Sequence, residues 1–380
     1  MVNLLSILTY NSYKETIMKK IIRIIVLAAI TAVCACGLFA CGSNPSNGSK
    51  SGLMYKVYTG DETYTVYGYY AEDGVTELDL GAFAARKGIT IGRIQEGAFD
   101  GNETLTSVKV PATVKTIDAG AFKGMKALKE ITLPFVGVTA KTDAYYGETA
   151  SDPDKSVDAD RTFGVIFGTE EYDEGIKVTQ YYNETGKNDY YLPYNLKKVT
   201  VAPAEQYEIP WCAFNNNNLI ETVELNVKVT AVGDSAFKNC TALKTVTGQE
   251  GVKTVYANAF SGCVKLNVNF NSFISLVKVG DYAFAHITTN NLVIPEAEYG
   301  EGAFSEATMS EVTVNASNIS RSMFYKCANL TSVKLGASVR AIGAFAFSGI
   351  EKTVTFTADG NWSAIDKSEN FANGTTIVEP

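Results

Sequence analysis

Few side chains in this sequence could do covalent chemistry. There is one histidine, His286, within Phe284-Ala285-His286-Ile287. No Gly-x-Ser-x-Gly, His-Glu-x-x-His or phosphate-loop pattern accompanies it, so it reads as a surface turn residue and no catalytic residue is assigned. Four cysteines lie beyond residue 41, namely Cys212, Cys240, Cys263 and Cys327. Their spacing matches neither a zinc site nor a compact disulfide framework. The last three recur at one position of a repeat and fit a small buried slot, while Cys240 and Cys263, one repeat apart, could also come close enough to pair. Asp152-Pro153-Asp154 and Asp158-Ala159-Asp160 offer oxygen ligands to calcium but lack the glycine and closing glutamate of an EF-hand loop. They read as a solvated acidic loop, and neither a metal nor a cofactor is expected. Tyr172, Tyr181, Tyr182, Tyr190 and Tyr191 supply flat amphipathic rings. Such rings either contact a ligand or pack their own segment onto the rest of the molecule. Carboxylate pairs such as Glu170 and Glu171 keep a glycan-active enzyme as a minor alternative.

The elements that must carry these residues repeat. Phe99, Phe122, Phe214, Phe237, Phe260, Phe284, Phe304, Phe324 and Phe347 are spaced by 23, 92, 23, 23, 24, 20, 20 and 23 residues. Each follows an alanine, except that Met323 precedes Phe324. A large apolar residue stands five positions earlier, as in Ile94, Ile117, Ile209 and Val232, and the 23-residue units place leucine at +6 and a β-branched residue at +9 in most cases. Leu-x-x-Val-x-Leu ends in the alternation of a strand with one buried face. The Ala-Phe segment is expected as a short helical or 3-10 turn. One coil of this length cannot bury its apolar face alone, whereas stacked coils share a continuous core with parallel strands about 4.8 Å apart.

The fold class expected is therefore a β-rich α/β solenoid. Residues 53–80, with Tyr55 to Tyr58 and Thr63 to Tyr67 around Gly60-Asp61, read as an N-terminal β-hairpin cap. Repeats follow over 81–134 and 196–357, with a degenerate closing coil over 358–380. Residues 135–195 contain no Ala-Phe and read as an insertion in an enlarged repeat, the kind of long excursion where function tends to sit. Outward strand residues should line a concave sheet, among them Lys109, Glu130, Thr222, Glu224, Thr245 and Lys334 as candidate ligand contacts, together with Ser107; so small, polar and mixed a set suits either recognition or plain solubility.

Ahead of all this, Lys19, Lys20 and Arg23 precede the apolar stretch Ile24 to Gly37, and Leu38-Phe39-Ala40-Cys41 closes it. That order reads as a secretory signal over 1–40, with Met18 an alternative start, followed by a flexible Gly/Ser/Asn tether over 41–52. Removing residues 1–40 takes the net charge from −8 to −11, since they hold four basic residues and one acidic. So acidic a product repels phosphate backbones, and nucleic acid is not expected as a partner. Leu38, Ala40 and Cys41 resemble the lipobox of bacterial lipoproteins. The resemblance implies lipidation of Cys41, with Cys36 the rival site, and an exported, outward-facing protein that meets the membrane only through that lipid.

Val232 to Val246 and Ile319 to Leu335 show the repeat most clearly: Ile-x-x-x-Ala-Phe-x-x-Cys-x-x-Leu-x-x-Val-x-Leu. It resembles the BspA-like leucine-rich repeats of bacterial surface proteins, over residues 74–357. In similar proteins Phe163-Gly-Val-Ile-Phe167-Gly and the Tyr-Tyr-x-Pro that follows mark an enlarged unit. The resemblance implies a monomeric surface protein that binds or adheres to a host or bacterial surface protein or glycan, without catalysis. A structural or accessory component of the envelope is the alternative from another class.

Overall fold

A computed structural model describes residues 52–140, 159–183 and 185–380. The signal over 1–40, Cys41, the tether as far as residue 51 and the acidic stretch Asp152 to Asp158 lie outside the described residues.

The chain winds into a β-solenoid. One parallel sheet of six strands runs through Glu77–Asp79, Ser107–Lys109, Glu130–Leu133, Lys198–Val201, Thr222–Leu225 and Thr245–Thr247. A second, of five, runs through Asn291–Ile294, Glu311–Val314, Ser332–Leu335, Val354–Ala358 and Ile377–Val378. Between them the coil after Phe260 adds no strand to either sheet. A 3-10 turn at Phe270–Ser272 replaces it, and the extra ring of Phe270 meets Phe284 and Phe304 edge-on at 5.1 and 5.6 Å. The first coil is covered by an antiparallel hairpin, Gly52–Val57 with Tyr64–Tyr70, whose second strand pairs in parallel with Ile91–Ile94. The single described α-helix, Leu80–Lys87, starts where the Asp79 side chain accepts from the Ala82 N–H and stops at left-handed Gly88.

The repeated phenylalanines form one stack. From Phe214 to Phe347 consecutive rings lie 4.8–5.8 Å apart and within 14° of parallel. Each of these rings is buried. Burial of that kind stabilises by about 1.5–3 kcal/mol per side chain, and ring pairing adds about 0.5–1.5 kcal/mol. Tyr69 meets Phe99 at one end of the stack, and Phe356 turns its edge to Phe347 at the other.

The Ala-Phe segments are not the helical or 3-10 turns expected from sequence. In all nine coils the residues two before and two after the key phenylalanine have positive φ, from Gly97 and Gly101 through Ser235 and Asn239 to Phe345 and Gly349. A helix cannot pass through two left-handed residues. The flips turn backbone N–H groups sideways. The Phe237 N–H donates to Ala259 O at 2.8 Å and the Asn239 N–H to Ser261 O at 2.7 Å, each in the next coil. Buried alanine before the phenylalanine leaves room for that approach.

Cys240, Cys263 and Cys327 are free thiols. Each donates to the carbonyl of a key phenylalanine in the preceding coil, Phe214, Phe237 and Phe304, at 3.1, 3.0 and 3.2 Å. The slot thus suits a small apolar side chain with one weak donor.

Candidate functional site

The enlarged unit occupies one coil. Lys198–Val201 pairs directly with Glu130–Leu133, so 64 residues, 134–197, separate two neighbouring strands of the sheet. Phe163 and Phe167 carry the phenylalanine column across the gap. Phe167 lies 6.3 Å from Phe122, and Phe163 lies 4.8 Å from Phe214. The two rings are 5.3 Å apart. The spacing of 92 therefore spans two coils, which Phe163 and Phe167 divide into two stretches each about twice the length of an ordinary repeat.

Beyond Phe167 the chain forms an antiparallel hairpin, Gly175–Tyr181 with Lys187–Pro193. Alternation decides its two faces. Val178, Gln180, Tyr190 and Leu192 are buried, while Lys177, Thr179, Tyr181, Asp189 and Tyr191 point away. Gly164 has to be glycine, since a Cβ there would meet the Tyr190 ring at 2.3 Å.

Side chains dock the hairpin onto the turn edge of the stack. The Gln180 amide donates to Ala213 O and Asn215 O at 3.2 and 3.3 Å and accepts from the Gly164 N–H at 2.6 Å. In a regular coil the last of those carbonyls would receive a backbone N–H from the preceding turn, and Gln180 takes that role. The Tyr181 N–H donates to Asn215 Oδ1 at 2.8 Å, and Asn215 Nδ2 donates back to Tyr181 O.

Where the hairpin end leans over the turns around Phe214 and Phe237, a cavity of about 450 Å³ opens. Tyr181 and Asn183 form one wall, and Trp211, Cys212, Asn215 and Asn216 come from the first turn. Asp234, Ser235, Lys238 and Asn239 come from the second. Trp211 is only 2% exposed and lies under the Arg161 guanidinium, which is 4.3 Å from its ring centre. It forms floor, whereas Tyr181, 37% exposed, offers a ring. Burial raises the Asp234 carboxyl, with partial relief from the Ser235 hydroxyl that donates to it at 2.8 Å. Burial also pushes the Cys212 thiol up to about 12, so it stays protonated at neutral pH and is a poor nucleophile.

The residues singled out from sequence fall in several places. Tyr181 lines the cavity. Tyr190 is a correction: it is 1% exposed, its hydroxyl bonded to Thr162 and Asn188, and it packs the hairpin instead of meeting a ligand. Tyr172, Tyr182 and Tyr191 are half-buried, and burial raises the Tyr172 phenol. Lys109, Glu130, Thr222, Glu224 and Thr245 share the six-stranded sheet. Glu130 and Glu224 are held there by Lys198 at 3.8 and 3.0 Å, and Thr200 donates to Glu224 at 3.1 Å. Lys334 stands on the other sheet, paired with Asp359 at 3.1 Å, and Ser107 is buried instead of facing out. His286 is half-exposed, 3.7 Å from Glu306. Trp211, Asn216, Asp234, Lys238 and Asn239 escaped notice in the sequence. They occupy ordinary turn positions, and the run Asn215 to Asn218 is the one local signal that could have pointed to them.

A family model described as a BspA type leucine rich repeat region matches in six copies, over residues 88–151, 174–290, 206–325 and 266–378. Among solved structures, the chain is similar to a leucine-rich repeat protein from Bacteroides ovatus, at 17% identity, covering 88% of this chain and 90% of that one, with a TM-score of 0.34. It is similar to a leucine rich cell surface protein from Faecalibacterium prausnitzii, at 17% identity over 85% and 78%, TM-score 0.32. It is also similar to the pneumococcal vaccine antigen PcpA, at 14% identity over 81% and 70%, TM-score 0.29. No curated protein matches.

Proposed function

We propose that this chain, which belongs to the BspA-type leucine-rich-repeat family, is a cell-surface binding protein that recognises a protein or glycan partner by contact alone. The observation that carries the reading is the cavity at the junction of the docked hairpin and the solenoid, a concave site of the size small-molecule and anchor-residue pockets have. Export with lipidation at Cys41 is part of the proposal and rests on the signal-like order of residues 19–41. Among the described residues no helix is long and apolar enough to cross a membrane. A protonated Cys212 thiol, and a lone His286 whose nearby carboxylate is across a surface turn, fit contact better than catalysis. The acidic balance disfavours nucleic acid, and a monomer is sufficient for a site formed by one chain.

The test is a glycan array and an extracellular-matrix-protein array probed with residues 50–380, the compact unit that holds the whole core. Saturable binding to either supports the reading. Silence on both, with the protein folded, rejects it in favour of a structural envelope component.

A further inference from the structure

We propose that the cavity between the Tyr181–Asn183 end of the hairpin and the turns around Phe214 and Phe237 is a binding site for an uncharged saccharide, held by the Tyr181 ring and by Asn183, Asp234, Lys238 and Asn239. The proposal rests on the contact-binding reading above and names its ligand class.

The argument is one of free valences. Most polar groups at this junction are already used. Both Asn215 Nδ2 hydrogens go to carbonyls, and its oxygen takes the Tyr181 N–H. Asn216 Oδ1 receives Asn239 Nδ2 at 3.0 Å, and Asn183 Oδ1 receives the Thr185 and Gly186 N–H groups. Among the lining residues, Nδ2 of Asn183, the second carboxylate oxygen of Asp234 and Nζ of Lys238 make no hydrogen bond within the described residues, while Oδ1 of Asn239 lies over Gly262 of the next coil. That leaves two donors and one acceptor on the residues around one space, with a second acceptor at its edge. A sugar hydroxyl both donates and accepts, so neighbouring hydroxyls on one ring can satisfy such a mixed set. A simple anion would leave the two acceptors facing it, and an apolar ligand would strand all four groups.

Charge points the same way. One carboxylate and one ammonium face the cavity, so it favours neither an anion nor a cation overall. The Tyr181 ring adds an apolar surface of the kind that packs against the C–H face of a sugar. The volume of about 450 Å³ lies within the range of roughly 300–1,000 Å³ that small-molecule sites occupy. Metal binding has no such basis, because no group of three or more His, Cys, Asp or Glu side chains suited to an ion occurs among the described residues.

Walls that are already locked make the site rigid. Gln180 and Asn215 tie the hairpin to the stack through bonds made without ligand, so little ordering is left for the binding step. Asn239 occupies a left-handed position with φ 59°, where asparagine is tolerated and its amide is held at the cavity edge.

The experiment probes residues 50–380 on an array of neutral galactose-, mannose-, fucose- and N-acetylglucosamine-terminated oligosaccharides, beside sialylated and sulfated ones and the matrix-protein array. The best neutral sugar is then titrated by calorimetry. Asn239→Gly keeps the left-handed backbone and removes the amide, Lys238→Met keeps the stem, and Tyr181→Ala removes the ring. Each is expected to weaken the neutral sugar at least tenfold while the variant still melts as a folded protein, and Lys334→Ala, on the other sheet, leaves it unaltered. Equal binding by wild type and the three cavity variants overturns the site. Binding confined to sialylated or sulfated glycans overturns the uncharged class. Binding to matrix proteins but to no sugar overturns the saccharide inference and leaves the contact reading standing, whereas no binding on any array rejects both.

Discussion

Tyr181 and Asn215, 34 residues apart, are joined as two strands would be: the Tyr181 N–H donates to Asn215 Oδ1 at 2.8 Å and Asn215 Nδ2 donates to Tyr181 O. A side-chain amide thus continues a backbone ladder across the edge of the insertion. Asn215 Nδ2 also reaches Cys212 O at 2.8 Å, which holds the turn beneath the cavity. Asn215→Ala strips the side-chain partners of the Tyr181 N–H and Tyr181 O in a partly buried junction, while Cys212 O keeps the Asn215 N–H. Leaving such groups unpaired costs on the order of 1–3 kcal/mol. The expected result is a lower midpoint in urea and faster hydrogen exchange at the Tyr181 amide, with exchange in the Ser332–Leu335 strand unchanged. Exchange at Tyr181 no faster than in wild type would show that the hairpin docks by other means.

The left-handed positions give a prediction of opposite sign. Ser322 and Lys326 flank Phe324 with φ of 54° and 53°, a conformation that strains any residue with a Cβ. Glycine removes that strain and loses some of the gain to its freer unfolded chain, so Ser322→Gly and Lys326→Gly should each stabilise by up to about 1 kcal/mol. Gly124 shows the reverse case. At φ 70°, an added Cβ would sit 3.0 Å from Gly101 N, so Gly124→Ala should destabilise by more than about 1 kcal/mol. Thermal melts of the three variants settle the signs.

These positions also show where the sequence was informative. Ala-Phe, Leu at +6 and the β-branched residue at +9 recur because each fills the same buried place in every coil, and a slot that repeats can be read by counting. The left-handed sites recur as well, but glycine fills them in the first two coils while serine, asparagine, tyrosine, lysine and others fill many of the later ones. Backbone conformation is the conserved quantity there, and residue type conceals it. Phe163 and Phe167 escaped the repeat for another reason, since Thr162 and Ile166 precede them where alanine precedes all the other key rings but Phe324. The cavity was hidden for a third. Asp234, Lys238 and Asn239 are ordinary turn residues until the hairpin end 51 to 58 positions earlier folds back over them, and no local pattern encodes that contact. Tyr190 and Tyr181 look alike in a tyrosine-rich stretch, and only the two-residue alternation of the hairpin separates the buried ring from the exposed one.

Cys327 sets an upper pH limit on stability. Burial raises the thiol to about 12 from an ordinary value of 9.0. A group whose folded pKa is raised contributes stability that is complete below its unfolded value and is lost as pH climbs through the folded one. The loss therefore begins near pH 9 and runs towards pH 12. Cys327→Ala removes this component, so the gap in melting temperature between wild type and variant should narrow steadily over that window. A gap that stays constant from pH 8 to pH 11 would mean the thiol is as accessible folded as unfolded.

Asp234 works at the acidic end. Desolvation raises its carboxyl above the ordinary value of 3.8, so the stability tied to the protonated form is complete below that value and is lost as pH rises through the raised one. At neutral pH the buried charge is a liability that the fold tolerates. Asp234→Asn keeps an acceptor for the Ser235 hydroxyl without the charge, so it should melt higher than wild type at pH 7 and converge with it in acid. The same variant should bind sugar less well, because a neutral amide oxygen is a weaker acceptor than a carboxylate. Stability that rises while affinity falls is the pattern expected of a site residue, and an unchanged affinity would remove Asp234 from the site.

Phe163 tests whether the stack is continuous. A solenoid is held by contacts between neighbouring coils, so one weak interface can divide its unfolding into two stages. Phe163 is fully buried and bridges Phe167 and Phe214, at 5.3 and 4.8 Å, where the chain leaves the repeat for the whole insertion. Phe163→Ala opens a cavity where no neighbouring coil can close in, because the turn around Phe214 is already fixed by the Phe163 N–H to Ala213 O bond and by Gln180. The cost should be about 3–5 kcal/mol. It should fall on one interface, splitting a single urea transition into two, with the coils after Phe214 persisting to higher denaturant. A comparable cavity at Phe260→Ala lies within regular coils on both sides. If both variants lose the same stability in one transition, the insertion is no weaker a joint than any other turn of the solenoid.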